Sequence, residues 1–379
     1  MIVIGVDTHK RSHTIVALDA ATGAVRGQLT ILASDEGTLD ALRFAAELED
    51  DRVWAVEDCR HVSGRLERGL VAHGDRVVRV APGLTESSRR AVRTPGKSDP
   101  IDATAIARAA LREGIDTLPV AFLDEQAYEI RVLTDYRDQL INERVRLVNR
   151  LRWHLVQIAP ELEAQIRPAG LIGPRIRAKV TRGIARLPRT PQTRVAKLIH
   201  KRICDIYREE TELLAELKLL IEAHCPQLLD EHGCGTVTAA IIVGHTAGAK
   251  RFPRDACFAR HAGTAPIPAS SGNTKRHRLH RGGDRQLNRA LHIIALSKAR
   301  TDPATRAYLD RRHREGKTKT EAIRCLKRHL ARRIWRLLYT TTPPPTAART
   351  DTFATPPRPA PRRPVDDTIP AAAPMRCIT

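Results

Sequence analysis

The runs Ile2-Val-Ile-Gly-Val-Asp7, His13-Thr-Ile-Val-Ala-Leu18 and Val53-Trp-Ala-Val-Glu57 decide the fold. Each is a short apolar stretch bounded by polar or turn-forming residues, the pattern of a buried strand. Ala20-Ala-Thr-Gly-Ala24 is a turn, and Val25–Leu29 reads as the strand after it, so the chain opens as an antiparallel meander. Ser34 can cap a helix running through Leu48. Helix over His61–Ala72, strand over Arg76–Val80 and helix over Asp99–Arg112 then alternate.

Three antiparallel strands followed by alternating helices and strands is the order of an RNase H-like α/β domain, although other mixed α/β folds share parts of it. From about Leu123 the period lengthens. Ile130, Leu133, Leu140, Ile141, Leu147, Leu151, Leu155 and Ile158 form an apolar stripe along Asp124–Ile158. Ile199, Ile203, Ile206, Leu213, Leu217 and Leu220 form a second, broken only at Glu210. These predict a long helical coiled-coil arm suited to self-association, with intramolecular packing alone as the alternative, and Arg167–Pro191, proline-bearing and basic, as the connecting segment. Residues 226–339 read as mainly helical, and the stretch from Thr340 onward, with ten prolines in forty residues, as a disordered tail. The expected division is therefore 1–118, 119–225, 226–339 and 340–379.

With 42% hydrophobic residues the chain can build real cores, and no apolar run approaches the ~18 residues of a membrane span. The first residues lack the features of a secretory leader. Seven cysteines (Cys59, Cys204, Cys225, Cys234, Cys257, Cys325 and Cys377) include no C-x-x-C pair, which predicts reduced thiols and a cytoplasmic protein. The net charge of +21 points to a polyanion, most simply nucleic acid. It is segregated: residues 1–118 carry a net −2, 119–225 a net +5 and 226–339 a net +16. That separation suits an enzyme with an acid-bearing half and a polyanion-gripping half, and weighs against a plain nucleic-acid-binding protein.

Asp7 directly follows one strand and Glu57 ends another, so the two can face one another across about 4.8 Å. Asp99 and Asp102, spaced i, i+3 after Gly96-Lys-Ser, share one face of a helix start. Four converging carboxylates need a cation, and Mg²⁺ prefers such oxygen ligands; two ions about 3.5–4 Å apart can serve both the attacking and the leaving oxygen of a phosphodiester. From spacing alone, ordinary strand-end acids and a helix cap are the simpler reading, because scattered acids are common.

Cys234-Gly-Thr, after Asp230-Glu-His-Gly233, is either a helix-hairpin-helix-like turn whose amides hold a phosphate or a plain glycine turn. Gly263-Thr-Ala-Pro-Ile-Pro-Ala-Ser-Ser-Gly272 is a proline-stiffened loop running into Lys275, Arg276, Arg278 and Arg281. It either presents an activated serine beside cations or is a solvated basic loop. The 3% aromatic content argues against recognition dominated by base stacking.

Together, Val6-Asp-Thr-His-Lys, Val56-Glu57, Gly96-Lys-Ser-Asp-Pro-Ile-Asp-Ala103, the Gly233-Cys-Gly-Thr turn and Ala262-Gly-Thr-Ala-Pro…Ser-Ser-Gly272…Arg281-Gly-Gly-Asp-Arg-Gln-Leu-Asn-Arg-Ala-Leu291 resemble the DEDD-type transposases of bacterial insertion sequences. The resemblance spans about residues 1–339. It implies a RuvC-like domain with Asp7, Glu57, Asp99 and Asp102 as Mg²⁺ ligands, two ions per composite site, and a C-terminal serine-bearing transposase domain. Ser271, immediately before glycine, corresponds to the nucleophile that joins DNA, with Ser270 beside it as the alternative. The implied activity is transposition by site-specific recombination. The implied partners are double-stranded DNA at element ends and target, a structured bridge RNA, and further copies of the chain as a dimer pairing into a tetramer. The competing activity is a metal-dependent junction-resolving nuclease in which water attacks.

Overall fold

The structure, a computed structural model, describes residues 1–48, 51–57, 60–85, 98–121, 124–166, 171, 173–270, 277–280 and 282–341. The expected disordered tail lies outside the described residues apart from its first two positions, which prolong the last helix.

Strands β1 (Ile2–Thr8), β2 (Ser12–Asp19) and β3 (Val25–Leu32) form the antiparallel meander. Helix α1 (Asp35–Ala46) follows, with Ser34 accepting the Gly37 N–H as its N-cap. Then come β4 (Arg52–Glu57), α2 (Arg60–Ala72), β5 (Val77–Val80) and α3 (Asp99–Glu113). The sheet order is β3-β2-β1-β4-β5, with β4 parallel to both β1 and β5. This is the RNase H-like α/β arrangement expected from the sequence.

Both faces of the sheet are covered, and the period of two sorts its side chains cleanly. Ile2, Ile4, Val6, Trp54 and Val56 belong to one core, with Leu66 and Leu70 of α2. Val3, Val53 and Ala55 belong to the other, with Ala103, Ile106 and Ala107 of α3. Gly5 shares that second face. A Cβ there would lie 2.1 Å from the Ala103 carbonyl oxygen, so α3 rests directly on the β1 backbone.

Two 34-residue helices follow: α4 (Glu125–Ile158) and, after the single turn α5 (Pro160–Glu163) and helix α6 (Pro174–Ala185), α7 (Pro191–His224). The pairs Gln126–His224, Arg137–Glu210, Arg202–Glu143 and Gln192–Gln157 make α4 and α7 antiparallel along their length. Leu140, Ile206 and Leu213 form part of the seam. Glu210, the break in the apolar stripe, is buried between Arg137 and Arg144, so it is an ion-paired element of the seam. The expected connector Arg167–Pro191 is corrected in part, because α6 occupies its middle. Pro174 stands at the first helical turn, where its missing N–H removes no bond. Val180 and Ile184 pack with Leu151, Leu155 and Ile203.

The C-terminal body is a cluster of helices: α8 (Thr236–Thr246), α9 (Asp255–His261), α10 (Arg285–Thr301), α11 (Pro303–Arg314) and α12 (Lys319–Thr341), with a short ribbon of β6 (Ile267–Pro268) and β7 (His277–Arg278). Helix α8 is buried nearly all round, as its uniform apolarity requires. Phe252, Phe258, Leu287, Leu291 and Ile334 surround it in one core. Arg260 pairs with Glu113, and Asp138 accepts from Arg289 at 2.7 Å, linking this body to α3 and α4. No helix among the described residues is long and apolar enough to cross a membrane.

Candidate active site

Val6 stands opposite Val56 in the parallel β1–β4 pair, so Asp7 and Glu57 occupy the next position at the same sheet edge. Strand parity turns both toward the α3 face. The contact of α3 with Gly5 brings its first turn, with Asp99 and Asp102, to that edge. The helix N-terminus favours negative charge there.

Asp7 and Asp102 are each only 6% exposed, whereas Asp99 is exposed. Glu57 accepts a hydrogen bond from Thr85 Oγ1 at 2.9 Å. Burial pushes the Asp7 carboxyl up to about 6; the charges of Asp102, Glu57 and Asp99 add to the rise, and His9 opposes it. Asp7 Oδ2 is buried without a hydrogen-bond partner, and His9 Nδ1 stands 3.6 Å away. One donor atom each from Asp7, His9 and Asp99 lie within 4.8 Å of one another. Converging carboxylate oxygens, an orphaned buried oxygen and excess negative charge fit a hard divalent cation. His9 was overlooked as a site candidate, although it sits two residues beyond Asp7 in the Val6-Asp-Thr-His-Lys run.

Ser271 lies outside the described residues, and Ser270, the last described residue before it, is exposed. The base of their strap is described. Gly263 has φ +63°, and a Cβ on Gly283 would lie 2.3 Å from Gly263 N, so two backbone segments cross where side chains cannot fit. Asn288 Nδ2 donates to the carbonyl oxygens of Ala262 and Gly263 at 2.8 and 3.1 Å. Lys327 Nζ in turn donates to Asn288 Oδ1 at 2.5 Å. A Cβ on Gly83 would come within 3.9 Å of Gly282 Cα, so the strap base lies against the segment that carries Thr85.

Asp284 anchors the other end. It caps α10 by accepting the Leu287 N–H at 2.8 Å, and its second oxygen meets His245 Nδ1 at 2.8 Å. His245 Nε2 lies 3.8 Å from Asp135 Oδ1. Burial works against the charge on both partners, yet each sustains the other: Asp284 is held well below the carboxylate range, and His245 is raised with the help of Asp135. A histidine raised on folding stabilises fully below its unfolded value near 6.5 and loses that contribution as pH climbs through its folded value. Thermal melts of His245→Gln should therefore show the largest deficit below about pH 6.5 and a shrinking one toward alkaline pH.

An RNase H-like sheet with carboxylates clustered at its edge, joined to a basic helical body, defines a class of nucleic-acid-processing enzymes. Residues 4–160 match the DEDD_Tnp_IS110 transposase profile, and residues 225–310 match that of the transposase IS116/IS110/IS902 family. The chain is 29% identical to the insertion element IS110 uncharacterized 43.6 kDa protein of Streptomyces coelicolor, covering 86% of this chain and 91% of that protein. It is 28% identical to the insertion element IS116 uncharacterized 44.8 kDa protein of Streptomyces clavuligerus, covering 90% and 97% respectively. Among solved structures, T. thermophilus RuvC in complex with a Holliday junction substrate aligns over 32% of this chain and 99% of that one, at 14% identity and a TM-score of 0.26. The chain belongs to the IS110 family of insertion-sequence transposases, enzymes that cleave and rejoin DNA.

Proposed function

We propose that this protein is a site-specific DNA recombinase that moves its insertion sequence through a serine-linked intermediate. The observation that carries this reading is the meeting of Asp7, Glu57, Asp99 and Asp102 at one sheet edge, with an Asp7 oxygen left without a partner. In this reading the four carboxylates hold Mg²⁺, as two ions. The bound metal supplies positive charge to the scissile phosphate and makes a nearby hydroxyl more acidic. Ser271, with Ser270 as the alternative, attacks phosphorus: a serine O–P bond forms as the strand's P–O bond breaks, a base takes the serine proton, and the departing strand oxygen keeps the bonding pair and is protonated to a free hydroxyl. The bond energy kept in the phosphoserine later drives rejoining.

The basic body grips double-stranded DNA at element ends and target, and a structured bridge RNA selects the sites. The division 1–118, 119–225, 226–339 and 340–379 separates metal binding, arm, serine delivery and tail. The α4–α7 pair acts as a coiled-coil arm in a dimer that assembles into a tetramer, so the acids of one subunit work with the serine of another. The Gly233–Thr236 turn, read as helix-hairpin-helix-like, holds a DNA phosphate, and the protein works in the cytoplasm.

The test is denaturing electrophoresis after incubation with labelled element-end DNA, cognate RNA and Mg²⁺. A protein–DNA band is expected and should vanish in Ser271→Ala. Free cleaved ends without attached protein would instead establish the junction-nuclease alternative, in which water attacks.

A further inference from the structure

Lys327 raises a problem that the acid cluster does not solve. Its side chain lies on α12 and is 6% exposed. Its described hydrogen-bond partner is the Asn288 side-chain oxygen, one neutral acceptor for three N–H donors. Among the described residues no carboxylate pairs with it, and burial alone draws its pKa down to about 8. A cation removed from water without a counter-charge costs several kcal/mol by the usual scale, so such a group is retained where an anion arrives.

The cleft above it, about 340 Å³, shows where that anion would sit. Arg278, His280, Lys317, Arg324 and Arg328 line it with Lys327, and the Thr264–Pro266 stretch of the serine strap forms one wall. Arg328 Nη1 and His280 Nδ1 are buried without partners. Glu321 is the one acid among the described lining residues, and it is engaged in capping α12, accepting from the Thr318 N–H and hydroxyl. The cleft is also not isolated. Arg278, Leu279, His280 and Arg324 line a second, larger cavity of about 1080 Å³ that continues past Arg260 to Arg79 at the sheet. Adjoining cationic cavities suit a strand with successive phosphates better than a small free anion.

We propose that this cleft binds a backbone phosphate of a nucleic-acid strand, with Lys327 on its floor and Arg324 and Arg328 on its wall, and that Asn288 ties the occupied site to the serine strap. Lys327 donates to Asn288, and Asn288 donates to the Ala262 and Gly263 carbonyls, so Lys327 is two hydrogen bonds from the backbone that leads to Ser270. The site lies partly outside the matched 225–310 stretch, since α12 begins at Lys319. The inference rests on the nucleic-acid-processing reading but not on serine attack.

The full chain in EDTA, unable to cleave, would be titrated with a labelled DNA duplex and separately with an RNA hairpin over about 50–200 mM salt. Lys327→Gln should reduce the slope of log K against log salt by about 0.9 on the duplex if the phosphate is DNA, or by a comparable fraction on the hairpin if it is RNA. Lys327→Arg should restore the slope, and Lys218→Gln, on the arm, should leave it unchanged. An unaltered slope on both probes for Lys327→Gln overturns the proposal. Should that variant lose its cooperative melt, Arg324→Gln carries the same expectation and the same refutation. The adduct assay remains independent: its failure would sink serine recombination while the salt slope still decides the phosphate site.

Discussion

Asp7→Asn should slow strand cleavage by about a thousandfold or more, while leaving the metal-free protein at least as stable as the wild type. The two effects share one cause. Asp7 is buried among three other carboxylates, and its carboxyl is raised from 3.8 to about 6. An acid with a raised folded value holds its proton more tightly in the folded chain. Folding is therefore unpenalised below the unfolded value and progressively penalised as pH rises toward and past 6. At neutral pH the ionised group works against the fold by about 1–3 kcal/mol, allowing for solvent at the open edge. An asparagine keeps the shape, removes the repulsion and can donate to a neighbouring carboxylate, so that penalty disappears.

Melts in EDTA should thus show Asp7→Asn equal to wild type near pH 4 and more stable near pH 8. Adding Mg²⁺ should raise the wild-type Tm by mass action and the variant's much less. A variant that melts well below wild type at pH 8 in EDTA, or that gains as much from Mg²⁺, would remove Asp7 from the centre of the site.

Much of this was legible in the sequence because the deciding signals are local. Ile2–Asp7 and Val53–Glu57 announce buried strands by composition alone, and an acid at the end of each puts both carboxylates at one edge once the strands pair in parallel. Asp99 and Asp102 share a face by helical spacing. Glu210 was visible as a break in a stripe, but its two arginine partners lie 66 and 73 residues away, beyond any periodicity argument. Helix α6 was missed because a proline-bearing, basic stretch reads as a connector, whereas Pro174 and Pro191 each stand at a helix start. Lys327 lies within the basic stretch Arg311–Arg336, where one-dimensional charge does not distinguish a buried ammonium from its solvated neighbours. The serine itself, Ser271, remains a reading of sequence.

Gly5 carried a signal of the same long-range kind, and its substitution should have the largest combined effect on fold and activity. A glycine inside an apolar strand is unfavourable by about 0.5–1 kcal/mol against alanine unless something needs the space. Here the space is taken by α3: a Cβ would lie 2.1 Å from Ala103 O and 2.9 Å from both Ala107 N and Ala107 Cβ. Two of those three atoms are helix backbone, so no rotamer change relieves them. The helix must withdraw by about 1 Å, at a cost of about 3 kcal/mol, the upper end for overpacking. Withdrawal also carries Asp99 and Asp102 away from Asp7, and a misplacement of about 1 Å can cost about a hundredfold in rate. Gly5→Ala should therefore melt lower, cleave about a hundredfold more slowly and respond less to Mg²⁺, although every carboxylate is still present. Adding Ala107→Gly removes the methyl contact but neither backbone clash, so the double variant should recover little. Full recovery of melting temperature and cleavage in that double variant would show that α3 is held off by side-chain crowding alone, and that the close backbone approach does not set the distance between the two pairs of acids.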